Sequence, residues 1–267
     1  MTATTASATA VAQPSGGRVL LDEIRSEWTK LRTVRSTYWS ALAAVVIAIG
    51  LGALVCWGNL QNTEGVSDPA GTSLAGMFLA QVAFAIVGVL TMSAEYTTGM
   101  IRTTVSAVPQ RGYILAGKAI VVGTAAFLLA LATAFVSFWV GQVILSTKNL
   151  DIGLGAPGVL RVIVGAALYT GVLVLLSLAL AAILRNTAGT ITAVIGIIFV
   201  IPIIVALIPD RWQNDIGRYT PANAGSAIVN ITRQSNQLGP WAGFAVFCLW
   251  AVLAGAVAWW TLRRRDV

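Results

Sequence analysis

The run AIVVGTAAFLLALATAFVSFWVGQVIL, residues 119–145, extends for 27 residues without a charged side chain. A helix crosses the roughly 30 Å hydrocarbon core of a bilayer with about 20 largely apolar residues, because its backbone polar groups must be paired inside the segment. The whole chain is similarly apolar, since 57% of its 267 residues are hydrophobic and 10% are charged, with a mean hydropathy of +0.82. Soluble domains carry about 25% charged residues, so the sequence predicts a membrane protein.

Five further runs have the length and apolar character of a membrane span. The link between the fourth and fifth runs contains only three residues, Arg185 to Thr187, and merging these runs would leave five spans. We predict an all-α polytopic membrane protein with six transmembrane helices. The predicted spans cover residues 38–57, 74–94, 119–145, 162–184, 188–208 and 241–262.

The distribution of Lys and Arg predicts the orientation, because basic residues near span ends are retained on the cytoplasmic side. With six spans both termini share one side, and that side holds 12 of the 17 basic residues. Both termini are therefore predicted to be cytoplasmic. The net charge of +7 then reflects topology and attraction to anionic lipids, and it requires no nucleic-acid partner.

The N-terminal part precedes the first span and divides into two segments. Residues 1–17 carry no charged side chain and predict a disordered tail. Residues 18–36 predict an amphipathic connector helix at the membrane interface, with charged residues such as Glu23 and Lys30 placed elsewhere around it. An amphipathic helix packed on a partner protein is the alternative. The apolar face consists mainly of Leu21, Ile24, Trp28 and Leu31.

Residues suited to catalysis are scarce. The chain has no His, and its two Cys, Cys56 and Cys248, lie in predicted spans and are expected to be buried free thiols. We therefore expect no catalytic site and no metal site in this chain. The phosphate-binding sequence of P-loop ATPases is absent as well, so any ATP must be hydrolysed by another chain. The central parts of the spans lack Asp and Glu, which argues against an ion relay.

A polar, basic link of about 24 residues, 95–118, joins the second and third predicted spans. Gly99 permits a bend and Pro109 ends a helix, so residues 100–107 predict a short helix on the cytoplasmic side. Glu95 is expected at the end of the second span, where a charge costs little. The alternative is a solvated basic loop that carries only topology.

This link resembles the first cytoplasmic loop of ABC-2 type transporter permeases. The resemblance implies that residues 100–107 are a coupling helix that docks onto a separately encoded ATPase, which would hold ATP and Mg²⁺. Arg102 and Arg111 would then face the ATPase or lipid phosphates, and Glu95 would anchor the loop by hydrogen bonding or by pairing with a nearby Arg. The motif consists of Glu95, Gly99, Arg102, Pro109, Arg111 and Lys118.

The resemblance extends to the six-span plan, and residues 21–38 are similar to the N-terminal part of small actinobacterial permeases in that family. It implies a subunit in the bacterial plasma membrane that pairs with a second permease chain and works as an exporter. Spans without buried acids fit a hydrophobic or amphipathic cargo. The alternatives are a secondary transporter or channel without an ATPase, and a non-transporting anchor or immunity protein.

Two further features concern the remaining chain. Residues 209–240 form a long external segment, in which Thr220 as a cap and Pro221 at the first helical position predict a helix over 222–231, either as an external gate or as a structured loop. Pro202 is expected to kink the fifth span. Small residues are expected to allow close packing of the spans. They are Ala126, Ala130, Ala134, Gly165, Gly171, Gly189 and Gly196.

Overall fold

The computed structural model describes residues 16–60, 67–100, 111–208, 215–231 and 237–264. These residues form helices and turns, with no strand among them. A π-helical segment, Gly196–Val200, separates α7 from α8, and a 3-10 turn, Gly217–Tyr219, precedes α9. The α-helices are α1 (Gly16–Thr33), α2 (Arg35–Asn59), α3 (Pro69–Ser73), α4 (Ala75–Thr97), α5 (Arg111–Ser146), α6 (Val159–Leu184), α7 (Thr187–Ile195), α8 (Ile201–Leu207), α9 (Pro221–Ser226) and α10 (Pro240–Arg264).

Within the described ranges, six helical stretches are long and apolar enough to cross a membrane, which confirms the predicted class and number of spans. They are α2, α4, α5, α6, the continuous stretch from α7 to α8, and α10. The division between the fourth and fifth spans is also confirmed. Arg185 ends α6 with a left-handed φ of 54°, and the Asn186 side chain accepts a 2.8 Å hydrogen bond from the Gly189 N–H at the start of α7.

The third spanning helix differs most from its predicted start. It begins at Arg111 and not near residue 119, because its first turns already pack inside the protein. Ile114, Leu115 and Lys118 are all buried there. The predicted link 95–118 is therefore shorter than expected, and its last eight residues belong to α5.

Helices α4 and α6 are the most deeply buried spans and pack against each other, while α2, α7–α8 and α10 lie at the periphery. A Cβ atom at Gly88 of α4 would lie 2.5 Å from the Val174 carbonyl oxygen of α6, so only glycine allows this approach. Gly165 of α6 also allows a close approach, with the Ile228 carbonyl oxygen 2.9 Å from the corresponding position, but this neighbour belongs to the turn after α9 and not to another span as predicted. Gly196 has nothing within 4 Å, so close packing does not explain it.

The fifth span contains the π-helical segment immediately before Pro202. Proline lacks a backbone donor and crowds the carbonyl four residues earlier, which here belongs to Ile198 inside the π-helical segment. The wider π turn provides a way to accommodate both effects. The structure thus shows a change of helix type over Gly196–Val200, and the kink expected at Pro202 stays a prediction.

The segment before the last helix is packed onto the bundle where it is described. Helix α9 starts at Pro221 as predicted, but the Thr220 hydroxyl donates to the Gly217 carbonyl and does not cap the helix, and α9 ends at Ser226. The Arg161 guanidinium of α6 donates to the carbonyls of Ile228 and Asn230 at 3.3 and 3.0 Å. These bonds fix the turn that follows α9.

Candidate functional site

Helix α1 packs on α5 through a face that carries acidic residues. Glu23 and Glu27 are buried at i, i+4 spacing, whereas Leu21 is 57% exposed. The predicted apolar face is therefore divided. Leu31 packs on the core and Ile24 is half-buried, but Leu21 and Trp28 point away from the bundle, where they remain free to meet lipid. Glu23 lies outside the predicted apolar face, but it is buried against α5, which the sequence did not indicate.

The acidic face of α1 meets one residue from α4 and one from α5. Lys118 Nζ donates to Glu27 Oε2 and to Glu95 Oε1, both at 2.7 Å. Lys30 Nζ donates to Glu27 Oε1 at 2.6 Å and to Glu95 Oε1 at 2.9 Å. We call Glu27, Lys30, Glu95 and Lys118 the ion cluster; it joins three helices through charge-assisted hydrogen bonds.

Burial makes the ion cluster unusual. Lys118 is 1% exposed and Glu95 is 4% exposed. A buried charge is tolerated only when it is paired and hydrogen-bonded, and here each of these groups has two partners of opposite charge. One expectation for Glu95 is corrected, because Glu95 is buried and not at a position where charge costs little. Of the two expected ways of anchoring the loop, hydrogen bonding is present, and the bonds come from Lys30 and Lys118.

Glu23 lies beside the ion cluster and fits there because residue 117 is glycine. A Cβ atom at Gly117 would lie 2.6 Å from Glu23 Cγ. Burial raises the pKa of the Glu23 carboxyl, and the neighbouring charge of Glu27 raises it further. Glu23 Oε1 is buried without a hydrogen-bond partner among the described residues. Three carboxylates face two ammonium groups here, and this surplus of negative charge is consistent with the raised pKa of Glu23.

Lys30 closes the outer side of the ion cluster. Its burial alone would lower the pKa of the ammonium group, but the hydrogen bonds to Glu27 and Glu95 outweigh this effect and raise the pKa. Lys30 therefore remains charged throughout the neutral range. A cavity of about 260 Å³ borders this side and is lined by residues of α1, the start of α2 and the end of α4.

The predicted coupling residues are only partly brought together. Glu95 and Lys118 bond directly and so close the base of the loop between α4 and α5. Gly99 has a φ of 72°, a conformation that favours glycine, and it turns the chain away from α4. Residues 101–110, including Arg102, Pro109 and most of the predicted helix 100–107, lie outside the described residues, as do the side chain of Arg111 and residues 1–15 of the tail.

Sequence reasoning missed Glu27 and Lys30 as members of this site. Their signal was present, because Glu23, Glu27 and Lys30 recur at i, i+4 and i+7 and therefore share one face of α1. The apolar residues on a neighbouring face gave the stronger pattern. Only the packing of α1 on α5 shows that the acidic stripe faces inward.

Other chemistry is limited in the described part of the chain. Cys56 and Cys248 are free thiols, the first buried and the second half-buried. Within the described residues, no group of three or more His, Cys, Asp and Glu side chains is arranged to hold a metal ion. The ion cluster is thus a set of internal contacts suited to holding helices together.

Comparison with known proteins identifies a family. The family model described as ABC-2 family transporter protein matches residues 23–206. The matched region starts within α1 at the acidic face and includes five of the six spans and the loop between α4 and α5. No curated protein matches the chain.

Proposed function

Because the chain belongs to the ABC-2 transporter family and is the membrane permease of an ABC transporter, we propose that it exports a hydrophobic or amphipathic compound. In this proposal a separate ATPase subunit binds and hydrolyses ATP with Mg²⁺. Two permease chains surround the pathway, and both termini lie in the cytoplasm of a bacterium whose plasma membrane holds the complex. The alternative functions lack a specific observation in their favour.

The ion cluster is the observation that carries this proposal. Its members Glu95 and Lys118 lie at the two ends of the loop between α4 and α5 and form an ion pair with each other. Each of them is also paired with a residue of α1, Glu95 with Lys30 and Lys118 with Glu27. A force applied to this loop therefore reaches α1, α4 and α5 together. Buried charge-assisted bonds resist separation, so the three helices would move as one unit.

The loop residues Arg102 and Arg111 are the proposed contacts with the ATPase. Arg102 lies within the loop and Arg111 begins α5, so a contact at either residue would act close to the ion cluster. Gly99 sets the direction in which the chain leaves α4. We propose that residues 100–107 form the coupling helix and that Leu21 and Trp28 hold α1 at the lipid surface.

The mainly apolar spans support the proposed cargo class. Their central parts offer no carboxylate that could bind a transported cation, and Glu95 and Lys118 at the loop end neutralise each other. The peripheral helices α2 and α10 expose large apolar side chains along their length. Such surfaces require lipid or a second permease chain as their neighbour.

The test is purification of the chain with the ATPase encoded beside it, followed by measurement of ATP hydrolysis and transport. The wild-type complex is compared with the double variant Arg102→Glu, Arg111→Glu. Arg18→Glu is the matched control, because Arg18 is an exposed basic residue of α1 outside the loop. We expect the double variant to lose stimulated ATP hydrolysis and transport, and the control to retain both.

Two results would contradict the proposal. One is the absence of any ATPase in complexes that keep the chain folded. The other is a double variant whose ATP hydrolysis and transport equal those of the control. Export itself is tested with inside-out vesicles, into which an exported amphipathic compound must accumulate when ATP is supplied.

A further inference from the structure

A second cavity lies at the end of the bundle opposite to the ion cluster. It has a volume of about 490 Å³ and is enclosed by the start of α4, by α6, by the fifth span and by the segment that contains α9. Typical sites for small ligands measure roughly 300 to 1,000 Å³. The cavity is therefore large enough for a compound of moderate size.

The side chains that line this cavity indicate which net charge a bound ligand can carry. Among the described residues that line the cavity, none carries a charged side chain, and most are apolar. Several polar groups already donate within the protein: the Thr170 hydroxyl to the Ala166 carbonyl at 2.8 Å, and the Asn223 amide to the Gly217 carbonyl at 3.0 Å. An ion would lose its hydration without compensation here, so the cavity suits an uncharged ligand.

The side-chain oxygen of Gln81 is a hydrogen-bond acceptor that these internal bonds do not use. Its Nε2 donates to the Phe78 carbonyl at 2.6 Å, and because a carbonyl only accepts, this bond fixes which side of the amide carries the oxygen. Gln81 Oε1 is buried without a partner among the described residues, and the residue is only 4% exposed. A ligand with an O–H or N–H group would satisfy it.

The wall beside Gln81 offers a route from the bilayer. Phe199 lies in the π-helical segment and meets Phe78 edge-on, with ring centroids 5.4 Å apart. Phe78 and Ile203 line the cavity, and more than half of the surface of each residue is exposed. Rotation of the Phe78 and Phe199 side chains would connect the cavity with the lipid-facing surface between α4 and α8.

We propose that this cavity binds an uncharged amphipathic molecule, which enters sideways from the bilayer and donates a hydrogen bond to Gln81 Oε1. The apolar part of the molecule lies against Met77, Phe78 and Phe199. The identification of this molecule as cargo rests on the proposed function of the chain. The alternative ligand is a lipid or another bilayer component with the same chemistry.

The binding test uses two matched probes, 4-octylphenol and 4-octylanisole. The oxygen attached to the ring carries a hydrogen in the phenol, which can donate a hydrogen bond, and a methyl group in the anisole, which cannot. Binding of each radiolabelled probe to the purified full chain in lipid nanodiscs is measured by equilibrium dialysis and corrected for empty nanodiscs. We expect the wild type to prefer the phenol roughly tenfold, the effect of one good hydrogen bond in an apolar site.

Gln81→Leu should abolish this preference and leave binding of the anisole intact. The variant should fold, because leucine has a similar size and removes a buried polar atom without a partner. Thr91→Val is the matched control on the same helix, since the Thr91 hydroxyl bonds only within α4 and lies away from the cavity. Ala166→Trp partly fills the cavity and should weaken binding of both probes.

Equal binding of the two probes to the wild type would overturn the inference, as would a phenol preference that survives Gln81→Leu. Binding unchanged by Ala166→Trp would place the probes elsewhere and overturn it too. Stimulation of ATP hydrolysis by 4-octylphenol in the complex would support the cavity as the cargo site. Gln81-dependent binding without stimulation would support a bilayer component as its occupant. A failure to find any ATPase would overturn the proposed function and leave the binding result standing.

Discussion

Lys118 holds three helices together with a single side chain. Its ammonium group lies 2.7 Å from carboxylate oxygens of α1 and α4, while the residue itself belongs to α5. Removing one member of a buried ion group is costly, because the remaining charges stay buried without full compensation. The stability of this end of the bundle therefore depends on individual charged residues and not only on apolar packing.

Lys118→Met is expected to lower the free energy of unfolding by on the order of 3 kcal/mol, because Glu27 and Glu95 would then share Lys30 alone. The measurement is unfolding by SDS in mixed micelles. Lys148→Met is the control, since Lys148 is exposed and, in the described part of the chain, donates to the Leu60 carbonyl. Equal stabilities of the two variants would contradict the role assigned to Lys118.

Glu23 gives the ion cluster a dependence on pH. Its pKa is raised in the folded protein above the ordinary value of 4.5, so the folded state binds this proton more tightly than the unfolded state. The stabilising contribution is complete below the ordinary pKa and disappears as the pH rises through the folded-state pKa. The groups that face Glu23 are Glu27 and Lys30 on α1, Glu95 on α4 and Lys118 on α5.

Relative to the wild type, Glu23→Gln should therefore gain stability as the pH rises from 5 to 8, because the folded-state pKa of Glu23 lies above 4.5 and the wild type loses its stabilising proton as the pH passes through it. The thermal unfolding temperatures of both proteins, measured across that range, give the comparison. Asp22→Asn serves as the control at an exposed position of the same helix. A Glu23→Gln effect that is constant with pH would show that Glu23 does not titrate in this window.

At the scale of the elements, contact between α4 and α6 depends on the absence of a side chain at Gly88. A Cβ atom at residue 88 would lie 2.5 Å from the Val174 carbonyl oxygen, and this backbone atom cannot move aside as a flexible side chain can. Contacts between small residues are a general means of packing spans in a bilayer, where apolar burial alone does not distinguish a protein neighbour from lipid.

Gly88→Ala is expected to destabilise the chain by about 1–3 kcal/mol through overpacking. Gly50→Ala is its matched control, because Gly50 lies in another spanning helix with nothing within 4 Å of its Cβ position. The control should be neutral or slightly stabilising, since alanine favours helix more than glycine does. SDS unfolding of both variants provides the test, and a stable Gly88→Ala would refute the packing argument.

At the scale of the whole molecule, the ion cluster and the Gln81 cavity lie at opposite ends of one helical bundle. Helix α4 spans the distance between them, with Gln81 near its start and Glu95 near its end. A shift of α4 driven at the loop would therefore reach the wall of the cavity. This arrangement connects the two proposed sites through one continuous element.

The orientation of the bundle can be tested by labelling single cysteines. Cys56 and Cys248 are first replaced by alanine, and Ser26→Cys or Asp215→Cys is then introduced at exposed positions near opposite ends. With intact cells and a membrane-impermeant maleimide, we expect Asp215→Cys to react and Ser26→Cys to react only after lysis. The reverse pattern would invert the predicted topology.

The sequence by itself determined the all-α class, the six spans and the family resemblance of the loop. These features depend on local properties, namely the length of apolar runs and the residues that end them, such as Arg185 and Asn186. It also indicated that Glu95 and Lys118 are significant, because both border the loop.

Only the tertiary structure decided which partners these residues have. Glu27 and Lys30 are separated from Glu95 and Lys118 by more than 60 residues, and the periodicity of α1 alone did not show which of its faces turns inward. The early start of α5 and the buried acceptor of Gln81 likewise depend on contacts between helices. Such contacts depend on how spans pack in three dimensions, and the hydrophobic pattern of one chain does not specify that packing uniquely.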